Sequence, residues 1–268
     1  MKSVASEAIQ SPSRVDVWKN RLKKGVAIIK GRGRSLSVQM LPDITIQLPL
    51  SAHRHYWQGV HDDGPLLNFL AQALPQNGVY FDIGANIGIY GAALWASKLG
   101  QIKVVAFEPI AATLAVLKEV MALNQVDAQI EPVALSNDSG VLTLSAYENG
   151  ANNFWVKDAE SHQIPTTSVP KMTLDEWCSR HPVIIPHAIK IDVEGHELDV
   201  LKGAQQTLRT HKPALVIECH CASWEELEVS RQEFIDVINS LGYRQITDRK
   251  GEVINLLTYP STIHLLCS

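Results

Sequence analysis

Two carboxylates, Asp82 and Glu108, close two short apolar runs and stand 26 positions apart. The first run, Val79–Phe81, leads into Asp82-Ile-Gly84-Ala-Asn86-Ile-Gly88. The second, Val104–Phe107, is followed at once by Glu108-Pro109. Glycines at this spacing form a turn in which backbone can approach a ligand closely, and the helix after it presents unpaired N–H groups. A carboxylate closing the second strand can accept both hydroxyls of a ribose. Strand, glycine turn and acid-ended strand describe a nucleoside-binding half of a doubly wound α/β fold. The pattern is D-x-G-x-x-x-G, not the G-x-G-x-x-G that seats a pyrophosphate on a helix N-terminus. An acid at the end of the first strand repels phosphate and suits a cation. The ligand it points to is S-adenosylmethionine (SAM), with its ammonium and sulfonium, rather than a dinucleotide.

Two later segments carry groups for proton transfer, Asp192-Val-Glu194-Gly-His196-Glu197 and Glu218-Cys-His220-Cys. On a strand, Glu218 and His220 share one face and Cys219 and Cys221 the other. Transfer of a methyl group from a sulfonium is an in-line displacement, so positioning supplies much of its rate. A hydroxyl acceptor must also lose its proton as it attacks. His220 is the first choice of base, followed by His196 and Asp192, with Glu194 beside them unless it caps the helix through Leu198 and Leu201. Asp192, Glu218 and His220 offer a second mechanism, a divalent ion that lowers the hydroxyl pKa. No tight spacing motif marks such an ion, and a metal-free site is preferred.

The elements around these residues alternate. Val38 to Leu50 suggests one or two short strands about Pro42-Asp43, and Leu66 to Leu74 has helical spacing after Gly64-Pro65. Val79–Phe81, Val104–Phe107, Ala128–Val133, Ala188–Val193 and Leu215–Cys219 read as five successive strands. Ile87–Leu99 and a segment opened by Pro109 read as the helices between the first three. Val141–Ala146 is a further strand, and polar residues 147–170 read as a loop over the site. Thr173–Glu176 and Ser223–Glu226 fit capping boxes, the second opening a helix to Leu241 with Gly242 as its stop. Tyr243–Thr247 and Ile263–Leu266 close the chain. Such alternation implies a mostly parallel sheet with helices on both faces, whose ligands bind beyond the carboxyl ends of the strands.

The ordered series FDIGANIGIYG, AFEP, ALSNDSG, TLDEW, IKIDVEGHELDVLKGA and PALVIECH resembles the FkbM-type SAM-dependent methyltransferases over residues 56–220. The resemblance implies a class I methyltransferase fold, Rossmann-like, with a seven-stranded sheet and SAM as cofactor. It also implies O-methylation of a sugar or natural-product hydroxyl. Carried over by position, Asp82, Gly84, Ala85, Asn86 and Gly88 line the methionine end of SAM, with Tyr90 alongside. Glu108 holds the ribose next to Pro109. Ala134 and Leu135 lie near the adenine, and Asp192 and Glu194 face the methyl group. Residues 1–55 are expected to be an extension, basic and partly mobile, ahead of a methyltransferase domain over 56–268.

Composition sets outer limits. The chain has 268 residues and a net charge of −4, with 46% apolar and 19% charged residues. Residues 1–34 hold nine Lys/Arg against two Asp/Glu, leaving −11 on the remainder. This arm can meet an anionic surface such as a membrane face, or be a solvated terminus. The acidic body disfavours a nucleic-acid footprint, and Ile191-Asp-Val-Glu-Gly195 lacks the proline pair common after strand four in amine-methylating enzymes. A cytoplasmic location is expected, without signal peptide or membrane span, and the four cysteines read as reduced thiols. A nicotinamide oxidoreductase on a related fold, a methyltransferase acting on a non-saccharide small molecule or a macromolecule, and a non-enzymatic SAM-binding protein are the competing readings. The acceptor is a small molecule or saccharide, for which Tyr56, Trp57 and the loop residues Tyr147, Asn149, Asn152, Asn153, Phe154 and Trp155 are candidate contacts.

Overall fold

The computed structural model describes residues 35–52, 63–145, 166–259 and 261–268. The basic arm, Tyr56, Trp57 and the candidate acceptor residues of the 147–155 stretch lie outside them.

Strands β1 (Ser35–Leu41) and β2 (Ile44–Pro49) form an antiparallel hairpin, and α1 (Gly64–Ala73) follows. The alternating core then runs β3 (Gly78–Ile83), α2 (Ile89–Ser97), β4 (Ile102–Phe107), α3 (Ala111–Leu123) and β5 (Ala128–Glu131). A small three-stranded sheet comes next, made of β6 (Ala134–Leu135), β7 (Gly140–Ser145) and β8 (Thr166–Met172). The second half contains α4 (Leu174–Arg180), β9 (Ala188–Ile191), α5 (Glu197–Lys202), α6 (Gln205–His211) and β10 (Ala214–His220). It ends with α7 (Cys221–Glu226), α8 (Arg231–Ser240), β11 (Ile246–Thr247) and β12 (Thr262–Cys267). The main sheet has seven strands in the order β11-β12-β10-β9-β3-β4-β5. Neighbours from β10 to β5 are parallel, and β12 runs antiparallel between β10 and β11. This is the class I methyltransferase arrangement.

The central strands read as continuous apolar runs because helices cover both of their faces. Side-chain alternation divides each strand between two cores. Tyr80, Val104, Ala188 and Val216 pack with α1, α2 and the hairpin. Phe81, Phe107, Ile189 and Ile217 pack on the other face with Trp177 of α4 and Trp224 of α7. There Trp177 meets Phe81 and Phe107 edge-on, at centroid distances of 5.3 and 5.2 Å. Cys219, Cys221 and Cys267 are fully buried in this second core, and all four thiols are free.

Three expectations change on contact with the fold. The segment expected as an extension to residue 55 contains the β1–β2 hairpin, which buries Val38, Ile46 and Leu48 against the domain. The stretch 147–170, expected as loop, ends in strand from Thr166 onward. Pro170 is tolerated there because β6 pairs with β8 only at Lys171 and Met172, so the missing N–H breaks no ladder on that side. The single helix expected from Ser223 to Leu241 is two. Glu228 sits at φ +56°, and Ser230 caps α8 by accepting from the Glu233 N–H at 3.2 Å. The N-cap at Thr173 is formed, with its hydroxyl accepting from Glu176 N at 3.0 Å, while the Glu176 carboxylate accepts from Ser139 and Arg180 instead of closing the box. No helix among the described residues is long and apolar enough to cross a membrane.

The hairpin is held along its outer edge by one side chain. Asn124, at the end of α3, accepts from Gln47 N and donates to Gln47 O, both at 2.7 Å. Those two backbone groups would otherwise be an unpaired strand edge. Asn124→Ala should therefore lower unfolding stability by about 1–3 kcal/mol, read as a lower urea midpoint with an unchanged slope. An unshifted midpoint would mean that the hairpin does not depend on this clamp.

Candidate active site

The carboxyl ends of β3, β4 and β9 open into one cleft, with β6 and β7 forming another wall. Three backbone bonds pin the floor. Gly84 and Ala85 N–H donate to Phe107 O, and Asp192 N–H donates to Ile83 O, all at 3.0 Å. Gly84, at φ +75°, lies so close to Asp192 that an added Cβ would come within 1.8 Å of its carbonyl oxygen. The glycine is required by the meeting of two strand ends.

Gly84, Asn86, Glu108, Pro109, Ala134, Leu135 and Asp192 line this cleft. Asp82, Ala85, Gly88 and Tyr90 sit outside its wall. Asp82 is buried in the sheet at 1% exposure. Ala85 packs with Ala106, Leu114 and Leu117. Gly88, at φ +80°, leaves room for Met121 and Leu117, which a Cβ would meet at 2.3 and 2.4 Å. Its small size thus serves the packing of α2 on α3. The Tyr90 ring lies 4.8 Å from Lys190 Nζ.

Glu108 is fixed from both sides. Its Oε2 accepts from Asn86 N at 3.0 Å and its Oε1 from Ile110 N at 2.9 Å. Each oxygen keeps a second lone pair. Burial pushes this carboxyl up to about 7, against the pull of the two N–H groups. Apolar side chains complete the wall, Phe107 from the AFEP motif and, unmarked by any motif, Val133, Leu142 and Leu144. The Thr113 hydroxyl in the same wall is buried without a hydrogen-bond partner among the described residues.

Asp192, Glu194 and His196 also line the cleft, and the first two adjoin His220, which with Glu197 and Glu218 is not part of the cleft lining. His220 Nδ1 lies 2.8 Å from Glu197 Oε1. Glu197 is fully buried and also accepts from Gly195 N at 2.9 Å and Trp224 Nε1 at 2.8 Å. His220 Nε2 faces Glu194 Oε2 at 3.3 Å, and Asp192 Oδ1 and Glu218 Oε1 at 3.9 Å each. Burial alone would lower the imidazole pKa, but Glu197, Asp192 and Glu194 push it up to about 9. Glu194, at φ +54° after β9, is pushed up to about 7 by burial, with His220 opposing. His196 bonds Asp199 through Nδ1 at 3.1 Å and lines the cleft beside Glu194.

Lys190 had no role in the sequence reading, and Glu197 stood there only as the end of the segment Asp192–Glu197, with no role of its own. Lys190 pairs in register with Asp82, is 4% exposed, and donates to Asp192 Oδ2 at 2.7 Å. Burial pulls its ammonium down, but Asp192, Asp82 and Glu218 outweigh it and hold it above its ordinary value. Asp82 itself is raised to about 6 by burial, against the pull of Lys190. A lysine inside the otherwise apolar run Ala188–Ile191 is the signal that could have found it, because lysine is almost never fully buried unless paired. Glu218 is held at about 2; burial opposes this, and His264 at 3.3 Å, Lys190 and His220 outweigh it.

Residues 82–245 match the methyltransferase FkbM domain. The chain is 25% identical over 207 residues to the hexuronic acid methyltransferase AglP of Haloferax volcanii, covering 75% of this chain and 81% of that protein. It is 27% identical over 163 residues to methyltransferase sdnD of Sordaria araneosa, covering 50% of this chain and 62% of that one. A crystal structure of methyltransferase FkbM from Methylobacillus flagellatus KT superposes at a TM-score of 0.46 and 20% identity, over 72% of this chain and 44% of that one. The family match runs from Asp82 through Glu108, Asp192 and His220 to Gln245, and the chain belongs to the FkbM methyltransferase family.

Proposed function

We propose that this methyltransferase takes its methyl group from SAM and delivers it to a hydroxyl of a saccharide or related natural product. The observation that carries the reading is the order of groups along one cleft. An apolar slot comes first, then the doubly anchored Glu108, then the carboxylates of Asp192 and Glu194. That order suits a base, a ribose diol and a cationic centre in turn, and the unpartnered Thr113 hydroxyl offers the slot a polar contact. When bound, SAM supplies an electrophilic methyl group on a sulfonium.

The remaining chemistry belongs to the chain. Glu108 accepts the ribose hydroxyls, while Phe107, Ala134 and Leu135 hold the base. Asp192 stabilises positive charge at the methyl end. Glu194, facing His220 at 3.3 Å, receives the proton that the acceptor hydroxyl gives up, because His220, raised to about 9, already carries one. The hydroxyl reading is supported by this proton-accepting carboxylate and by the missing proline pair after Ile191. A saccharide is supported by the relative AglP, which is named for a hexuronic acid.

The direct test supplies methyl-labelled SAM with a cell extract and follows the label. Label in saccharide or a small hydroxyl compound is expected, and label confined to protein or nucleic acid would reject the acceptor class. For the cofactor, Glu108→Ala should weaken SAM binding about tenfold or more, read by calorimetry. The Glu108 carboxyl, raised to about 7 from its ordinary range, keeps its proton in the free protein up to that pH. Hydroxyl donors prefer the ionised form, so SAM affinity should rise with pH from 6 to 8 and level off above. Glu108→Gln should flatten that rise, and an equally steep rise in this variant would place the titration elsewhere. His220→Gln should lower kcat by about 10²–10⁴-fold while SAM affinity stays within a few-fold. Unchanged turnover would remove His220 from the chemistry.

A further inference from the structure

We propose that Asp192, Glu218 and His220 bind one divalent cation of the Mg²⁺ or Mn²⁺ class. The inference rests on the methyltransferase reading and adds the means by which the acceptor hydroxyl is activated. Each of the three side chains is tied back on its outer side by a different partner. Lys190 holds Asp192 Oδ2 at 2.7 Å, His264 holds Glu218 Oε2 at 3.3 Å, and Glu197 holds His220 Nδ1 at 2.8 Å. Their inner atoms are thereby turned toward one another, and one ligand atom from each lies within 4.8 Å of the other two.

The spacing fits an ion. Two ligands of one Mg²⁺ or Mn²⁺, each at about 2.1 Å, are at most about 4.2 Å apart. The Nε2–Oδ1 and Nε2–Oε1 distances, both 3.9 Å, already lie inside that limit. The Asp192–Glu218 pair, within 4.8 Å, needs to close by no more than about 0.6 Å.

The surroundings also fit. Metal-ligating histidines characteristically give their other ring nitrogen to a carboxylate, which fixes the ring. Glu197 does this from full burial, and its own oxygens are anchored by Gly195 and Trp224. Two carboxylate oxygens and one imidazole form a hard, oxygen-rich set that matches Mg²⁺ or Mn²⁺ rather than a thiolate-seeking metal. Cys219 and Cys221 point into the core instead. The ligands are partly open, at 11% exposure for His220 and 25% for each carboxylate, which leaves positions for water or a hydroxyl.

A dication there would acidify a hydroxyl that enters its shell. The O–CH₃ bond forms as the S–CH₃ bond breaks, and that electron pair stays on sulfur. The hydroxyl proton passes to Glu194, the neighbouring carboxylate outside the ligand set.

The test uses the full chain, freed of metal by chelation and titrated with MnCl₂ alone. Binding is followed by electron paramagnetic resonance and by the shift in Tm. One Mn²⁺ per chain is expected, lost in Glu218→Gln and in His220→Asn. Glu197→Gln touches only the far nitrogen of His220, and affinity there should fall about tenfold or more. Circular dichroism and SAM titration certify that each variant is folded; if His220→Asn is not, Glu218→Gln decides. Absence of Mn²⁺ binding, or binding that both variants retain, overturns the site. Full methyl transfer after exhaustive chelation overturns the activation step while keeping the methyltransferase reading. Loss of SAM binding in the unsubstituted chain would instead overturn that reading.

Discussion

A single buried ammonium makes the active end of this sheet tenable. Asp82 on β3 and Asp192 just beyond β9 are carried by neighbouring strands, and two carboxylates at that depth repel each other and lose hydration. Lys190 stands between them, in register with Asp82 and bonded to Asp192. With Lys190 in place, a cleft that favours cationic ligands can be built on an apolar sheet. Without it, one carboxylate would keep its proton or the strand ends would part. The arrangement recurs outward, since Glu218 is balanced by His264 and His220 by Glu197. The cluster is therefore a chain of opposed pairs whose inner atoms face one point.

Packing and chemistry share the same residues at the floor of the cleft. Gly84 accepts no side chain because the Asp192 carbonyl occupies that space. This close approach sets the separation between the Glu108 end of the cleft and its Asp192–Glu194 end. Gly88, the residue just before α2, is small for the sake of α3. The spacing of the glycine motif thus reports how tightly β3, β9, α2 and α3 are drawn together, and the ligand site follows from that tightness.

Much of this was legible in the chain because it is local. The apolar runs before Asp82 and Glu108 announce buried strands, and Thr173 with Glu176 announces a helix start. Residues acting across strands were not legible. Lys190 matters through Asp82, more than 100 positions earlier, and Glu197 through His220, both set by register and helix packing. Ser223–Glu226 satisfied a capping pattern that the chain does not use, because Ser230 caps a separate helix. The strand at Thr166 was hidden by Pro170, whose cost vanishes beside a two-residue neighbour.

The burial of the thiols has a practical reach of its own. Cys219, Cys221 and Cys267 have no exposed surface, and burial holds all three thiols above their ordinary range, Cys267 at about 12. Alkylating reagents attack the thiolate, so these positions stay unreactive while β10 and β12 remain paired. Cys178 on α4 is partly exposed and provides an internal reference. Unequal labelling of the four sulfurs is a built-in clock for the opening of the antiparallel edge of the sheet, readable by mass spectrometry without any substitution or attached dye.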